Sequence, residues 1–193
     1  MYGSEAIYRV CKMRQNGRVL DIGSGGGEQA RYFTACGFDV TTISCVPPAD
    51  FVGKYQDYDS PQGFDVVWAS HVLEHQGNPQ DFIVRMMLDC KAGGLIAITV
   101  PPAKHDIVGG HLTLWNAGLL VYNCVAAGLD CSKARVSPLY DGYNISIIVE
   151  NYQRPTVDLV NDAGDIERLS RWFPFRVYQG FPGNQVQANW GTE

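Results

Sequence analysis

A chain of 193 residues with 46% apolar and 18% charged residues can bury a substantial core as one domain and is too apolar to be a disordered polymer. Its net charge of −5 excludes a general electrostatic pull toward nucleic acid or an anionic membrane. The longest weakly polar run, 117–129, is too short to cross a bilayer, the N-terminus carries Glu5, Arg9, Lys12 and Arg14 with no apolar leader core, and six scattered cysteines without a C-x-x-C pair read as reduced thiols of a cytoplasmic protein.

Residues 5–13 carry Ile7, Val10 and Cys11 at helical spacing, which predicts a short helix. Residues 18–27 read R-V-L-D-I-G-S-G-G-G, a buried strand running into a glycine loop. A helix is predicted over 28–36, stopped by Gly37, and a β-branched strand over 38–45, ended by Pro47 and Pro48. The stretch 49–63 is irregular, with room for a short helix or strand. F-D-V-V-W-A at 64–69 is the next strand, followed by S-H-V-L-E-H at 70–75. Asn78-Pro79 opens a helix that runs to Gly93-Gly94, and 95–100 is a continuous apolar strand closed by Pro101-Pro102. Thr113 is expected to cap a helix over 114–127. Strands at 131–136 and 143–150 form an antiparallel pair around a turn at Tyr140-Asp141-Gly142.

This alternation predicts an α/β, Rossmann-like, doubly wound sheet in three α/β/α layers, mostly parallel with a C-terminal antiparallel strand pair. Residues 1–193 are read as one domain, with a core over about 17–150 and an extension over 151–193 that folds onto it. The extension holds one expected helix, 165–173, and aromatics including Trp172, Phe173, Phe175, Phe181 and Trp190 that must bury somewhere. Whether they cover the pocket or form a homodimer contact stays open.

Glycine tolerates positive φ and lets a ligand lie against the peptide units, so the loop at 23–27 predicts a nucleotide-like ligand at the end of the first strand. Two cofactors compete. A dinucleotide asks for G-x-G-x-x-G and a helix N-terminus free for pyrophosphate. Here Glu28 stands in the first turn of the helix and Asp21 precedes the loop, two negative charges that would repel a diphosphate. A ligand with a positive centre and no phosphates, S-adenosylmethionine, suits the loop better.

The blocks at 19–27, 64–75 and 91–101, with the closing strand pair, resemble those of class I S-adenosylmethionine-dependent methyltransferases over roughly 19–150. The resemblance implies that Asp21, Gly23, Ser24, Gly25 and Gly27 line the methionine part of the cofactor. It places Ser44 where a ribose-binding acid is usual, with Asp50 as a substitute, Asp57 near the adenine, and Ser70 and His71 at the pocket edge. It implies methyl transfer to an O or N nucleophile of a small-molecule acceptor, with nucleic acid and membrane not expected as partners. A non-catalytic S-adenosylmethionine-binding or interaction protein is the alternative, and an NAD enzyme a further one.

All four histidines, His71, His75, His105 and His111, fall between 71 and 111. Segments after the fourth and fifth strands share the carboxyl edge where ligands bind, so these histidines are expected near one cleft. Three readings stand side by side. In the structural one, Leu73 packs while Glu74 and His75 hydrogen-bond nearby loops. In the catalytic one, His71 and His111 are general bases that remove the acceptor's proton. In the third, His71, Glu74 and His75 share a helical face at i, i+3 and i+4, with His111 as a fourth ligand. That pattern is similar to the E-x-x-E-H and later histidine of metal-dependent small-RNA 2′-O-methyltransferases, with His71 in place of the first Glu. It would make the protein a metal-assisted O-methyltransferase acting on an RNA or sugar hydroxyl, and would favour Zn²⁺ over Mg²⁺. No metal ligand is assigned.

Overall fold

The computed structural model describes residues 2–140, 143–186, 189 and 190. Helix α1 (Ser4–Met13) leads into strand β1 (Gly17–Ile22), helix α2 (Glu28–Ala35), strand β2 (Phe38–Ser44) and a two-residue strand β3 (Phe51–Val52). A 3₁₀ turn (Tyr55–Asp57), strand β4 (Phe64–Ser70), a second 3₁₀ turn (Leu73–His75), helix α3 (Pro79–Asp89) and strand β5 (Cys90–Val100) follow. Helix α4 (Ala117–Ala126), strands β6 (Arg135–Tyr140) and β7 (Asn144–Glu150) and helix α5 (Asp165–Leu169) complete the order. The predicted turn residues Asp141 and Gly142 lie outside the described residues.

The strands form one sheet in the order β3-β2-β1-β4-β5-β7-β6. β1 pairs in parallel with β2 and β4, β4 with β5, and β7 runs antiparallel to both β5 and β6. This is the predicted doubly wound sheet with its antiparallel pair. Alternation along β1 shows how the layers are filled. Val19 joins the cluster under α1 and α2, with Phe33, Val66 and Trp68, whereas Leu20 and Ile22 join the cluster under α3 and α4.

Among the element boundaries that differ from expectation, the following have a clear physical reason. Gly93 and Gly94 do not end α3. They lie inside β5, which pairs from Cys90 with Phe64 and then shifts register before Leu95 meets Val66. Glycines in a strand mark such an irregularity. Helix α4 starts at Ala117, not 114, because the Asn116 side chain accepts from Leu119 N. Strand β6 begins at Arg135, since Ala134 N closes a turn on Cys131 O. The 165–173 helix tightens after Leu169 into a 3₁₀ turn over Ser170–Trp172.

The aromatics of the tail bury within the chain. Trp172 and Phe173 join the α3/α4 cluster, with Phe175 and Phe181 packed against it. Gly183 O accepts from Gly118 N on α4 at 2.9 Å. Trp190 packs in the other cluster, under the Arg9 guanidinium. All six cysteines are free thiols, and no helix among the described residues is long and apolar enough to cross a membrane.

Candidate functional site

Parallel strands β1, β2 and β4 deliver their C-terminal ends to one edge of the sheet, and the candidate site is built there. Gly23 N and Ser24 N both donate to Ile43 O, which folds the chain sharply over the end of β2. Gly23 has φ +77, and a Cβ there would collide with Val72 Cγ2, so only glycine fits. At Gly25 (φ +50) and Gly26 a Cβ would meet nothing within 4 Å, so the loop presents bare backbone to open space.

A cavity of about 570 Å³ runs from Gly23 past Ser44 and Gly53 to Asp57, with Val72 and His75 on its far side. Ser44 lines it, and its Oγ accepts from Val46 N. Asp57 lines it from the 3₁₀ turn, where the preceding Tyr55 donates its hydroxyl at 2.5 Å to the buried Asp89, itself paired with Arg85. Asp50 does not line it; its carboxylate accepts from Thr42 N and Thr42 Oγ1 instead.

A second cavity, about 380 Å³, shares Gly23 and is lined by Ser24, Gly26, Glu28, Ser70 and His71. Ser70 Oγ bonds Thr99 Oγ1 at 2.8 Å and ties β4 to β5. Tyr2, Gln29 and Arg31, which sequence reasoning missed, share this mouth. Arg31 Nη1 donates to Gly26 O there at 2.9 Å. Tyr2 O accepts from Gln29 Nε2, and the Tyr2 ring stacks on His71 with centroids 4.6 Å apart.

Asp21 lines neither cavity. It faces the α1/α2 side, fully buried, and both carboxylate oxygens lack a hydrogen-bond partner among the described residues. Burial pushes its pKa up to about 7.

Three of the four histidines, His71, His75 and His111, gather as expected around Glu74, but not on a helical face, and His105 stands apart. His71 has φ +56, and the 73–75 turn is 3₁₀. His71 Nε2 meets Asn144 Oδ1 at 2.7 Å, and its Nδ1 lies 3.5 Å from Glu74 Oε1. Burial holds its pKa below the usual imidazole value. His75 Nδ1 bonds Gly110 O at 2.8 Å. His75 and His111 rings meet edge to face at 5.0 Å, whereas His105 is exposed. His111 also lines a third cavity, about 220 Å³, with Lys104, Thr113 and Tyr143. Thr113 caps no helix; its hydroxyl donates toward Leu73 O and Glu74 O and docks the 101–116 connection on the 73–75 turn. Tyr143 and Asn144 were missed as site residues, though an antiparallel β7 necessarily starts at the edge where β5 ends, and the predicted pairing held that signal.

The family model of the methyltransferase domain matches residues 5–135. The chain is 32% identical over 97 residues to the ubiquinone biosynthesis O-methyltransferase of Rickettsia akari (strain Hartford), covering 42% of this chain and 39% of that protein. It is 29% identical over 112 residues to the mitochondrial ubiquinone biosynthesis O-methyltransferase of Schizosaccharomyces pombe, covering 48% of this chain and 41% of that protein. The chain thus spans about two fifths of the length of these relatives. Its fold is similar to that of the 1,6-didemethyltoxoflavin-N1-methyltransferase of Burkholderia thailandensis, solved with S-adenosylhomocysteine (TM-score 0.65, 17% identity, 77% of this chain and 76% of that one). A S-adenosylmethionine-dependent methyltransferase of Aquifex aeolicus is similar at TM-score 0.60 and 14% identity, over 76% of this chain and 89% of that one.

Proposed function

The chain belongs to the methyltransferase-domain family, and from that premise we propose that it uses S-adenosylmethionine to methylate an oxygen or nitrogen nucleophile of a small-molecule acceptor. The observation that carries this reading is the bare glycine cradle continuous with the 570 Å³ cavity that ends at Asp57. The residues fit the cofactor. Open space at Gly25 and Gly26 admits a close ligand, and Ser44 and Asp57 offer polar groups along the cavity. When bound, the cofactor supplies an electrophilic methyl group on a sulfonium.

The chain's own contribution is placement, water exclusion and proton handling. The loop 23–27 and the 53–57 wall would fix the cofactor. Tyr2, His71 and Tyr143 form an aromatic wall, with Tyr2 and Tyr143 centroids 5.6 Å apart, that would shield the methyl end of a bound cofactor from solvent. A proton leaving the acceptor has bases within reach. Nδ1 of His71, the Glu74 carboxylate and His111 lie at one edge, and burial keeps the His71 imidazole neutral near pH 7. The O-methyltransferase relatives support oxygen over nitrogen as the accepting atom.

Calorimetric titration with S-adenosylhomocysteine and with NAD tests the cofactor. S-adenosylhomocysteine should bind one to one and NAD should not; the reverse would overturn the reading. Binding without methyl transfer to a panel of phenols, catechols and hydroxy acids would support the non-catalytic alternative.

A further inference from the structure

The segment before α1 reaches the proposed acceptor end by a tight turn. Gly3 has φ +70, and a Cβ there would stand 3.2 Å from Thr99 Cγ2 and 3.3 Å from Ser70 Oγ and Trp68 Cζ2. The backbone thus presses on the ends of β4 and β5, in a conformation that favours glycine. The turn delivers Tyr2 to the mouth of the 380 Å³ cavity. Its ring stacks on His71 and stands 5.6 Å from Tyr143, yet 61% of the residue stays exposed. Stacking over so small a buried area does not by itself offset the entropy of fixing the residue.

Gln29 supplies the missing hold. It is the second residue of α2 and follows the glycine loop by two positions. Trp68 Nε1 donates to Gln29 Oε1 at 2.9 Å, and Gln29 Nε2 donates to Tyr2 O at 2.8 Å. An indole N–H can only donate and a carbonyl can only accept. The two partners therefore fix the orientation of the amide, because a flipped amide satisfies neither. Trp68 is fully buried in β4, so the amide is anchored on the sheet and not on another loop.

We propose that Gln29 is a positioning residue, which latches Tyr2 to the first turn of α2 and so holds the Tyr2 ring over His71 at the acceptor end. One amide then joins the turn after the proposed cofactor loop to the wall beside the acceptor. The position must accept on one side and donate on the other, which is what a primary amide does. The inference rests on the methyl-transfer reading only for what the wall serves; the latch itself needs no ligand.

Gln29→Glu separates the latch from the packing. The carboxylate still accepts from Trp68 Nε1 and sits in the first turn of a helix, where negative charge is favourable, but it cannot donate to Tyr2 O. The variant should melt like the parent. Two readouts on cofactor-free protein follow His71. Its ring protons, assigned by comparison with His71→Gln, should lose the upfield ring-current shift of the Tyr2 ring in proton NMR spectra. Carbethoxylation of His71 by diethyl pyrocarbonate, read by peptide mass spectrometry, should quicken about 2- to 10-fold, the worth of one hydrogen bond. Tyr2→Leu, at an exposed position, should reproduce both changes, and the double variant should add nothing to them. Gln29→Met, of like length with neither polar group, should act as Gln29→Glu does and serves if the new charge disturbs folding. The inference is overturned if the Gln29 variants leave both readouts as in the parent, or if Tyr2→Leu does, which would mean that Tyr2 does not cover His71. Calorimetry with S-adenosylhomocysteine tests the cofactor separately. A latch without S-adenosylhomocysteine binding would sustain this inference and sink the cofactor reading.

Discussion

Asp21→Asn isolates the cost of a buried acid beneath the cofactor loop. Asp21 is raised from 3.8 to about 7 by burial. At 1.36 kcal/mol per pH unit, that shift corresponds to about 4 kcal/mol. The residue is fully buried, so solvent screening does not reduce it. A folded-state pKa above the unfolded one means that the protonated form favours folding. The stability it confers is full below about pH 4 and is lost as pH rises through about 7. Asparagine is neutral throughout and lacks this dependence. The stability difference between variant and parent should therefore move in favour of the variant by about 4 kcal/mol between pH 4 and pH 8, a large share of a typical folding free energy. Urea unfolding of both proteins at pH 4, 6 and 8 reads this directly, because the other titrating groups cancel in the difference. A difference that stays flat with pH would refute the account and would mean that an internal water or a shifted donor satisfies Asp21.

Gly23→Ala should lower stability by at least about 1 kcal/mol, since it adds a collision with Val72 to a positive φ, and should abolish S-adenosylhomocysteine binding. Gly25→Ala has free space, so a melting curve should show the backbone cost alone, about 1 kcal/mol, yet calorimetry should show binding falling far more than stability. Tyr55→Phe removes a donor from buried Asp89 and should cost about 1–3 kcal/mol, with a weaker S-adenosylhomocysteine Kd because the 53–57 wall is no longer tied to α3. Asn151→Ala breaks bonds to Met87 O and Cys90 O at the α3–β5 junction. It should cost about 1–3 kcal/mol in urea unfolding and leave that Kd unchanged, since Asn151 lies away from the cavity.

The fold was legible because its signals are local. Val19, Leu20 and Ile22 before a glycine loop, or Asn78-Pro79 before Phe82 and Ile83, act within a few residues. Asn78 does accept from Asp81 N as a helix cap. Gly93 and Gly94 misled because a glycine pair punctuates a helix and a strand irregularity alike, and only the pairing of Cys90 with Phe64 separates the two. Thr113 misled because its hydroxyl is spent on Leu73 and Glu74, about forty positions away, leaving Asn116 as the cap. The histidine cluster was legible from topology, since loops after β4 and β5 must meet. Its internal geometry was not, because the left-handed conformation of His71 breaks the helical spacing on which the i, i+3, i+4 reading depends.

The family match covers all of the end proposed for the cofactor and part of the end proposed for the acceptor. Gly23, Ser44, Asp57 and Val72, which line the cavity proposed for the cofactor, all lie within residues 5–135. The end proposed for the acceptor lies only partly within that span. It draws Tyr2 from before the match and Tyr143 and Asn144 from after it, and joins them to His71 through stacking and a hydrogen bond. The cofactor end rests on glycine geometry and strand ends that any member of the fold must supply. The acceptor end rests on one connection and one strand start, which can change without disturbing the sheet. The Lys104 ammonium over the Tyr143 ring, beside the exposed Ile107 and Leu112, belongs to this changeable part. Similarity to the O-methyltransferases therefore bears on the methyl donor more strongly than on the acceptor. On the proposed reading, side-chain exchange in residues 101–116 and at Tyr143 should shift KM for the acceptor while leaving the S-adenosylhomocysteine Kd in place.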